Sequence, residues 1–127
     1  MERSKSLAVA AGGASGAAVR WLVETQSGDH AFPWALVIVN VVGAFGLGLV
    51  AFRTATGHRE TLRLGVGVGF CGGLTTFSAF AVTGADLLRD DRGPTAASFV
   101  GVSLVLAVVA VVAGAGLRRR LDPEPVA

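Results

Sequence analysis

The chain of 127 residues has no tyrosine, one cysteine and two histidines, and only 16% of it is charged. Each scarcity excludes something. A single thiol, Cys71, builds neither an intrachain disulfide nor a zinc site, and within an apolar run it reads as a small packing residue. His30 and His58 fall in the loops between hydrophobic runs, and no acidic pair lies inside a run. Hydrolase, metal-enzyme and proton-relay chemistry therefore lack their residues. With no tyrosine and two tryptophans, the chain is poorly equipped to cage an aromatic cation. The formal net charge of +2 and pI near 9.5 do not point to nucleic acid, because the basic residues flank apolar runs instead of forming a patch.

What the chain does have is long uncharged stretches. Hydrophobic residues make up 52% of it and the mean hydropathy is +0.62. Four runs stand out, roughly Leu7 to Val23, Phe32 to Phe52, Leu62 to Leu88 and Thr95 to Leu117. Each is near the ~20 residues that cross a bilayer as helix. The short alternating segments of a membrane barrel are missing. The loops Gln26–His30, Thr54–Thr61 and Arg89–Pro94 leave no room for a soluble domain. The expected architecture is all-α, one transmembrane domain of four helices, with function inside the membrane. Gly12, Gly13, Gly16 and Arg20 make the first run a span rather than a cleavable leader. The stretch Arg118-Arg119-Arg120-Leu121-Asp122-Pro123 stops the last helix. Gly12 and Gly16, and likewise Gly65, Gly69 and Gly73, are four apart. That spacing lines small residues along one helix face, where a second helix can come close.

Charge sets the expected orientation. Arg3, Lys5, Arg53, Arg59, Arg63, Arg118, Arg119 and Arg120 share one side of a four-span chain, eight basic residues against Arg89 and Arg92 on the other. Arg20 lies within a span. The positive-inside rule then places both termini in the cytoplasm, and the surface membrane of the cell is the expected location.

A polar group in hydrocarbon needs a partner. Asn40 sits mid-span, where its amide suits either an interhelical hydrogen bond or a donor lining a pore. Arg20, near the end of the first span, either snorkels to the headgroups or holds a positive charge at a vestibule. No carboxylate is embedded to neutralise it; Glu24 is one turn away but nearer the interface. The run Gly72-Gly73-Leu74-Thr75-Thr76-Phe77-Ser78 is the densest signal. Paired glycines and then paired threonines weaken a helix mid-span. Such a break fits a packed kink or an ion site, since freed backbone groups in lipid must find protein, water or ions. Phe77 and Phe80 share a face, as core or lipid contacts or as ring edges offered to an anion.

These elements occur in the order seen in the Fluc/CrcB family of fluoride channels, which the whole chain resembles. The resemblance rests on Gly12-Gly13-Ala14-Ser15-Gly16-Ala17-Ala18-Val19-Arg20, on Asn40-Val41-Val42-Gly43-Ala44-Phe45, on Gly69-Phe70-Cys71-Gly72-Gly73-Leu74-Thr75-Thr76-Phe77-Ser78-Ala79-Phe80 and on a fourth span with serine. The third element is the specific one. The resemblance implies an antiparallel dimer with two pores and a structural Na⁺ at its centre. It implies that Gly72 and Thr75 give backbone carbonyls to Na⁺, that Asn40 donates to fluoride, and that Phe77 and Phe80 line the pores. Thr76 and Ser78 become candidate hydroxyl contacts, and Arg20 sits by the vestibule. Family members often carry Tyr and Ser at four-residue spacing on the fourth helix. Here the series reads Phe99, Ser103, Ala107, so Ser103 is the one polar pore candidate on that helix.

Passive export of cytoplasmic fluoride, lowering its toxicity, is thus the expected function. An antiparallel homodimer needs a chain that inserts both ways, with nearly balanced charge. Eight against two fixes one orientation, so a homologous subunit inserted the opposite way is the expected partner, with lipid around both. Two other readings exist. A small dual-topology multidrug or cation exporter would couple protons through an embedded carboxylate, for which only Glu24 and Asp86, both near segment ends, are available. A non-transporting structural subunit would use its break only to pack against a partner.

Overall fold

In lipid a backbone must satisfy its own polar groups, so apolar runs of this length fold as helices. The computed structural model describes residues 2–28, 31–51 and 57–121, and every regular element among them is helical. Helix α1 is Glu2–Gln26 and α2 is Trp34–Ala51. The third segment is assembled from α3 (Gly57–Leu64), a π-helical stretch (Gly65–Cys71), the single turn α4 (Gly72–Leu74) and α5 (Phe77–Arg89). Helix α6 is Gly93–Leu121. Glu2–Gln26, Gly57–Arg89 and Gly93–Leu121 are long and apolar enough to cross a membrane, and Trp34–Val50 is a shorter apolar helix. At 29 residues, α6 is about 43 Å long against a hydrocarbon core of about 30 Å. Its last turn therefore carries Arg118, Arg119 and Arg120 toward the headgroups. The chain is an all-α, multi-pass membrane protein with a broken third segment.

The helices run past the apolar stretches into their polar flanks. His58, expected in a loop, lies in the first turn of α3. Asp29 and His30 of the first loop, Phe52, Arg53 and the start of the second loop, and the Asp122–Pro123 stop lie outside the described residues.

Glycine sets the packing. A Cβ at Gly12 would run into the Gly65 carbonyl, one at Gly16 into the Phe70 carbonyl, and one at Gly73 into Gly13. The spaced glycines of α1 and of the third segment thus face each other, and the two run parallel with backbones in contact. Helices α2 and α6 do the same. A Cβ on Gly48 would meet the Val111 carbonyl, and one on Gly114 the Phe45 carbonyl. Without a hydrophobic drive between helices in lipid, such close backbone approach is what holds them together.

The π stretch follows from two such stripes on one segment. Gly65, Gly69 and Gly73 face α1, while Gly67 packs against Val50 and Leu47, and Cys71 and Thr75 against Gly46 and Gly43 of α2. Residues four apart drift about 40° per step round an α-helix. The wider turns between Gly65 and Cys71 offset that drift and keep both stripes on their neighbours.

Polar contacts mark the two ends. Lys5 pairs with Glu60 at 3.0 Å, tying the start of α1 to α3. At the opposite end Arg92 donates to the Ala31 carbonyl, tying the third turn to the first loop. Between them a small core of Leu36, Val37, Val39, Leu74, Leu87 and Ala96 surrounds Phe99, which has no exposed surface.

Candidate functional site

Thr75 and Thr76 make the break. Both adopt extended backbone, with φ −79°, ψ 146° at Thr75 and φ −147°, ψ 121° at Thr76. The sequence spreads the expected disruption over Gly72 to Ser78, but Gly72–Leu74 remains helical and the interruption is two residues long. β-Branched threonine accepts extended backbone readily. Thr75 donates from both its amide (3.0 Å) and its hydroxyl (2.9 Å) to the Cys71 carbonyl. This pins the end of the first half-helix. Thr76 caps the second half: its hydroxyl accepts from the Ala79 amide at 3.2 Å.

Asn40 holds the break open. Its Oδ1 accepts the Thr76 amide at 2.9 Å. That amide would otherwise close a helical bond onto the Gly72 carbonyl. Two groups are released together. The Gly72 carbonyl loses its helical donor, and the Asn40 amide, its oxygen committed, has two N–H donors left for other use. Of the two roles that the sequence offered for Asn40, the interhelical bond is present.

Those donors belong to a groove of about 310 Å³ lined by Asn40, Ala44, Leu47, Thr75, Thr76, Phe77, Phe80, Ser103, Leu104 and Ala107. It brings together residues from α2, the break, α5 and α6. Phe77 and Phe80 stand with ring centroids 5.7 Å apart and planes inclined by 36°. Phe77 is 79% exposed, although it sits beside the break at the middle of the third segment. Ser103 is 5% exposed, and its hydroxyl is buried without a hydrogen-bond partner. Ser78 is not part of the groove lining; its hydroxyl lies 3.0 Å from that of Thr76 and steadies the cap from outside. Gly72 is exposed, with open space where a Cβ would stand.

Phe99 and Ala107 part company here. Ala107 lines the groove, whereas Phe99 lies behind it. The Phe99 ring packs on Phe80 at 5.2 Å and on Phe32 at 6.1 Å. It is the platform that positions Phe80, a role that residue type and spacing did not reveal.

Arg20 is elsewhere, near the end of α1, and here the structure corrects the sequence. Its guanidinium is not free of a carboxylate: Nη1 lies 3.4 Å from Glu24 Oε2, one helical turn on. Asp86 is likewise paired, with Arg89 at 3.1 Å. Both carboxylates that an exporter would need for proton coupling are thus held by arginines. No cluster of three or more His, Cys, Asp or Glu side chains occurs among the described residues. A cation at the break would instead use backbone carbonyls, and those of Gly72 and Thr75, at and beyond the end of the first half-helix, suit a hard cation that prefers oxygen.

A broken membrane helix, a groove of hydrogen-bond donors and phenyl rings, and embedded charges confined to the span ends define a small channel-like membrane protein. The chain belongs to the family described as CrcB-like protein, Camphor Resistance (CrcB), which matches residues 7–115. Its relatives include "Fluoride-specific ion channel FluC" of Geobacter sulfurreducens, 42% identical over 121 residues that cover 91% of this chain and 97% of that protein. The protein of the same name from Ignicoccus hospitalis is 41% identical over 116 residues, covering 89% and 94%. "Fluoride-specific ion channel FluC 2" of Parasynechococcus marenigrum is 38% identical over 122 residues, covering 96% and 86%.

Proposed function

We propose that this chain is a subunit of a fluoride-selective channel that lets cytoplasmic fluoride leave passively. The observation that carries the reading is the commitment of Asn40 Oδ1 to the Thr76 amide. It turns one lone pair of the oxygen to the backbone and leaves both N–H donors of the Asn40 side chain for a groove that also holds Phe77, Phe80 and the unpartnered Ser103 hydroxyl. Fluoride is small and strongly hydrated, so a pore must replace its water with several donors and still release it. An amide, hydroxyls and phenyl edges do so without the trap of a buried ammonium. Thr76 adds a hydroxyl to the groove lining, Ser78 steadies it from outside, and the names of the relatives agree with fluoride as the permeant ion.

The partner is a homologous subunit in the opposite orientation. Irregular backbone in a bilayer is tolerated only where protein or water covers it, yet Gly72 and Phe77 at the break are exposed in the single chain. A second subunit would cover them and complete the pores. The basic imbalance, with Lys5, Arg59 and Arg63 at the same end as Arg118–Arg120, favours a heterodimer whose other chain inserts the other way. Two relatives carry numbered names, FluC 1 and FluC 2. Na⁺ at the dimer centre would take the Gly72 and Thr75 carbonyls and bridge the subunits as a structural ion. The termini are cytoplasmic and the membrane is the cell membrane.

Fluoride-electrode efflux from proteoliposomes tests the reading, with this chain alone and co-expressed with a homologue. Fluoride without chloride flux is expected from the pair, with a loss in Phe80→Ile. Robust flux from the single chain would sink the heterodimer, and no fluoride flux from either preparation would sink the channel. A reporter active only in the cytoplasm, fused to the C-terminus, should signal; silence would reverse the orientation.

A further inference from the structure

A second hollow, of about 330 Å³, lies beside the ends of α1 and α2, at the end of the bundle away from the termini. Its lining includes Glu24, Phe32, Trp34, Ala79 and Thr83. Ala79 and Thr83 flank Phe80 on α5, and Phe80 lines the pore groove. The two hollows are therefore neighbours along one helix, the second at the end of the span and the first at its middle.

Asp90, Asp91 and Arg92 of the third turn stand at the same end, Arg92 against the Ala31 carbonyl, but none of them lines the hollow. Glu24 is the one ionisable residue among the described lining of the hollow. Helix α2 carries no charge, and those of α5, Asp86 and Arg89, are paired with each other. Arg20 stands behind Glu24 on α1. Their contact is a single prong of 3.4 Å, long for a guanidinium–carboxylate bond. Arg20 Nε and Glu24 Oε1 are both buried without partners. The pair is thus close enough for each charge to mask the other, and not locked in the bidentate fork the two groups can form.

We propose that this hollow is the anion's mouth on the side away from the termini, and that Glu24, by masking Arg20, sets how strongly the mouth draws anions. The proposal rests on the channel reading given above and adds a residue to it. Removing the carboxylate's charge leaves the guanidinium unmasked and raises local anion concentration. Removing the guanidinium leaves an acidic mouth that repels anions. A residue that merely packs would do neither.

The test reads the field directly and needs no flux. In a Cys71→Ala background, Thr83→Cys places a thiol in the hollow for anionic and cationic methanethiosulfonate reagents of similar size. Glu24→Gln should raise the ratio of anionic to cationic reaction rates about tenfold, and Arg20→Gln should lower it comparably, both effects shrinking with salt. Glu24→Asp, which keeps the charge, should leave the ratio near that of the parent and reports on folding. An unchanged ratio in Glu24→Gln overturns the proposal. Fluoride efflux, measured in parallel with the homologue present, separates the two claims. A shifted ratio without any fluoride flux in the parent would remove the channel and keep the charge control. Fluoride flux with an unmoved ratio would remove the role of Glu24 alone.

Discussion

Asn40 Oδ1 and the Thr76 amide, 36 residues apart in sequence, meet at 2.9 Å and join the second segment to the break in the third. One bond does two things: it takes the donor from the Gly72 carbonyl and commits the acceptor of the Asn40 amide. Asn40→Ala should strand the Thr76 amide, lowering stability by about 1–2 kcal/mol in detergent unfolding and abolishing fluoride efflux. Asn40→Asp keeps an acceptor for Thr76 but offers fluoride a carboxylate. It should fold and still fail to conduct. Conduction by Asn40→Asp would show that the amide donors are dispensable.

The helix pairs rest on missing Cβ atoms. Gly16→Ala drives a methyl into the Phe70 carbonyl, and Gly73→Ala drives one into Gly13. Each should cost about 1–3 kcal/mol and reduce the monodisperse fraction on size exclusion. Gly101→Ala meets open space and should match the parent, which makes it the control.

Phe99 should behave as a positioning residue. Phe99→Ala empties the centre of the core and should cost about 3–5 kcal/mol. Phe99→Leu keeps most of the volume but gives Phe80 no ring to pack on. Its fluoride flux should fall more than its stability, a split that unfolding and efflux measurements on one preparation resolve.

The Lys5–Glu60 pair makes a pH prediction. The Glu60 carboxylate, hydrogen-bonded to the Lys5 ammonium, holds the lysine above its ordinary value of 10.5. A raised folded-state pKa contributes stability that is fully present below the unfolded value and is lost as pH rises through the folded one. The contribution of this pair should therefore be flat through neutral pH and fade only above about pH 10.5. Lys5→Met should remove that alkaline decline from the unfolding profile. Because the pair is at the surface, its effect should be small and weaken with salt.

Much of this was legible in the residues. Hydropathy located four spans, because lipid rewards long uncharged runs whatever their neighbours are. Gly12, Gly16, Gly65, Gly69 and Gly73 announced close helix contacts, because spacing alone puts them on one face. The break was legible as a region, though the residues overstated its length: Gly72 and Gly73 permit a kink without requiring one. The π stretch from Gly65 to Cys71 was not legible, since it reconciles two stripes of contacts that exist only once α1 and α2 are in place. The Arg20–Glu24 contact shows in the sequence only as a one-turn spacing, because residue order does not reveal how deep Glu24 sits.

By itself, then, the sequence determined the membrane architecture and the family, because local composition and residue order carry that information. Only the tertiary structure decided what the residues do to one another. Whether Asn40 spends its acceptor or its donors, whether Phe99 lines the groove or supports Phe80 from behind, and whether Arg20 stands alone or masked all depend on the rotation and offset of helices in space. A change of one residue in that offset would reassign each of them without altering a single hydrophobic run.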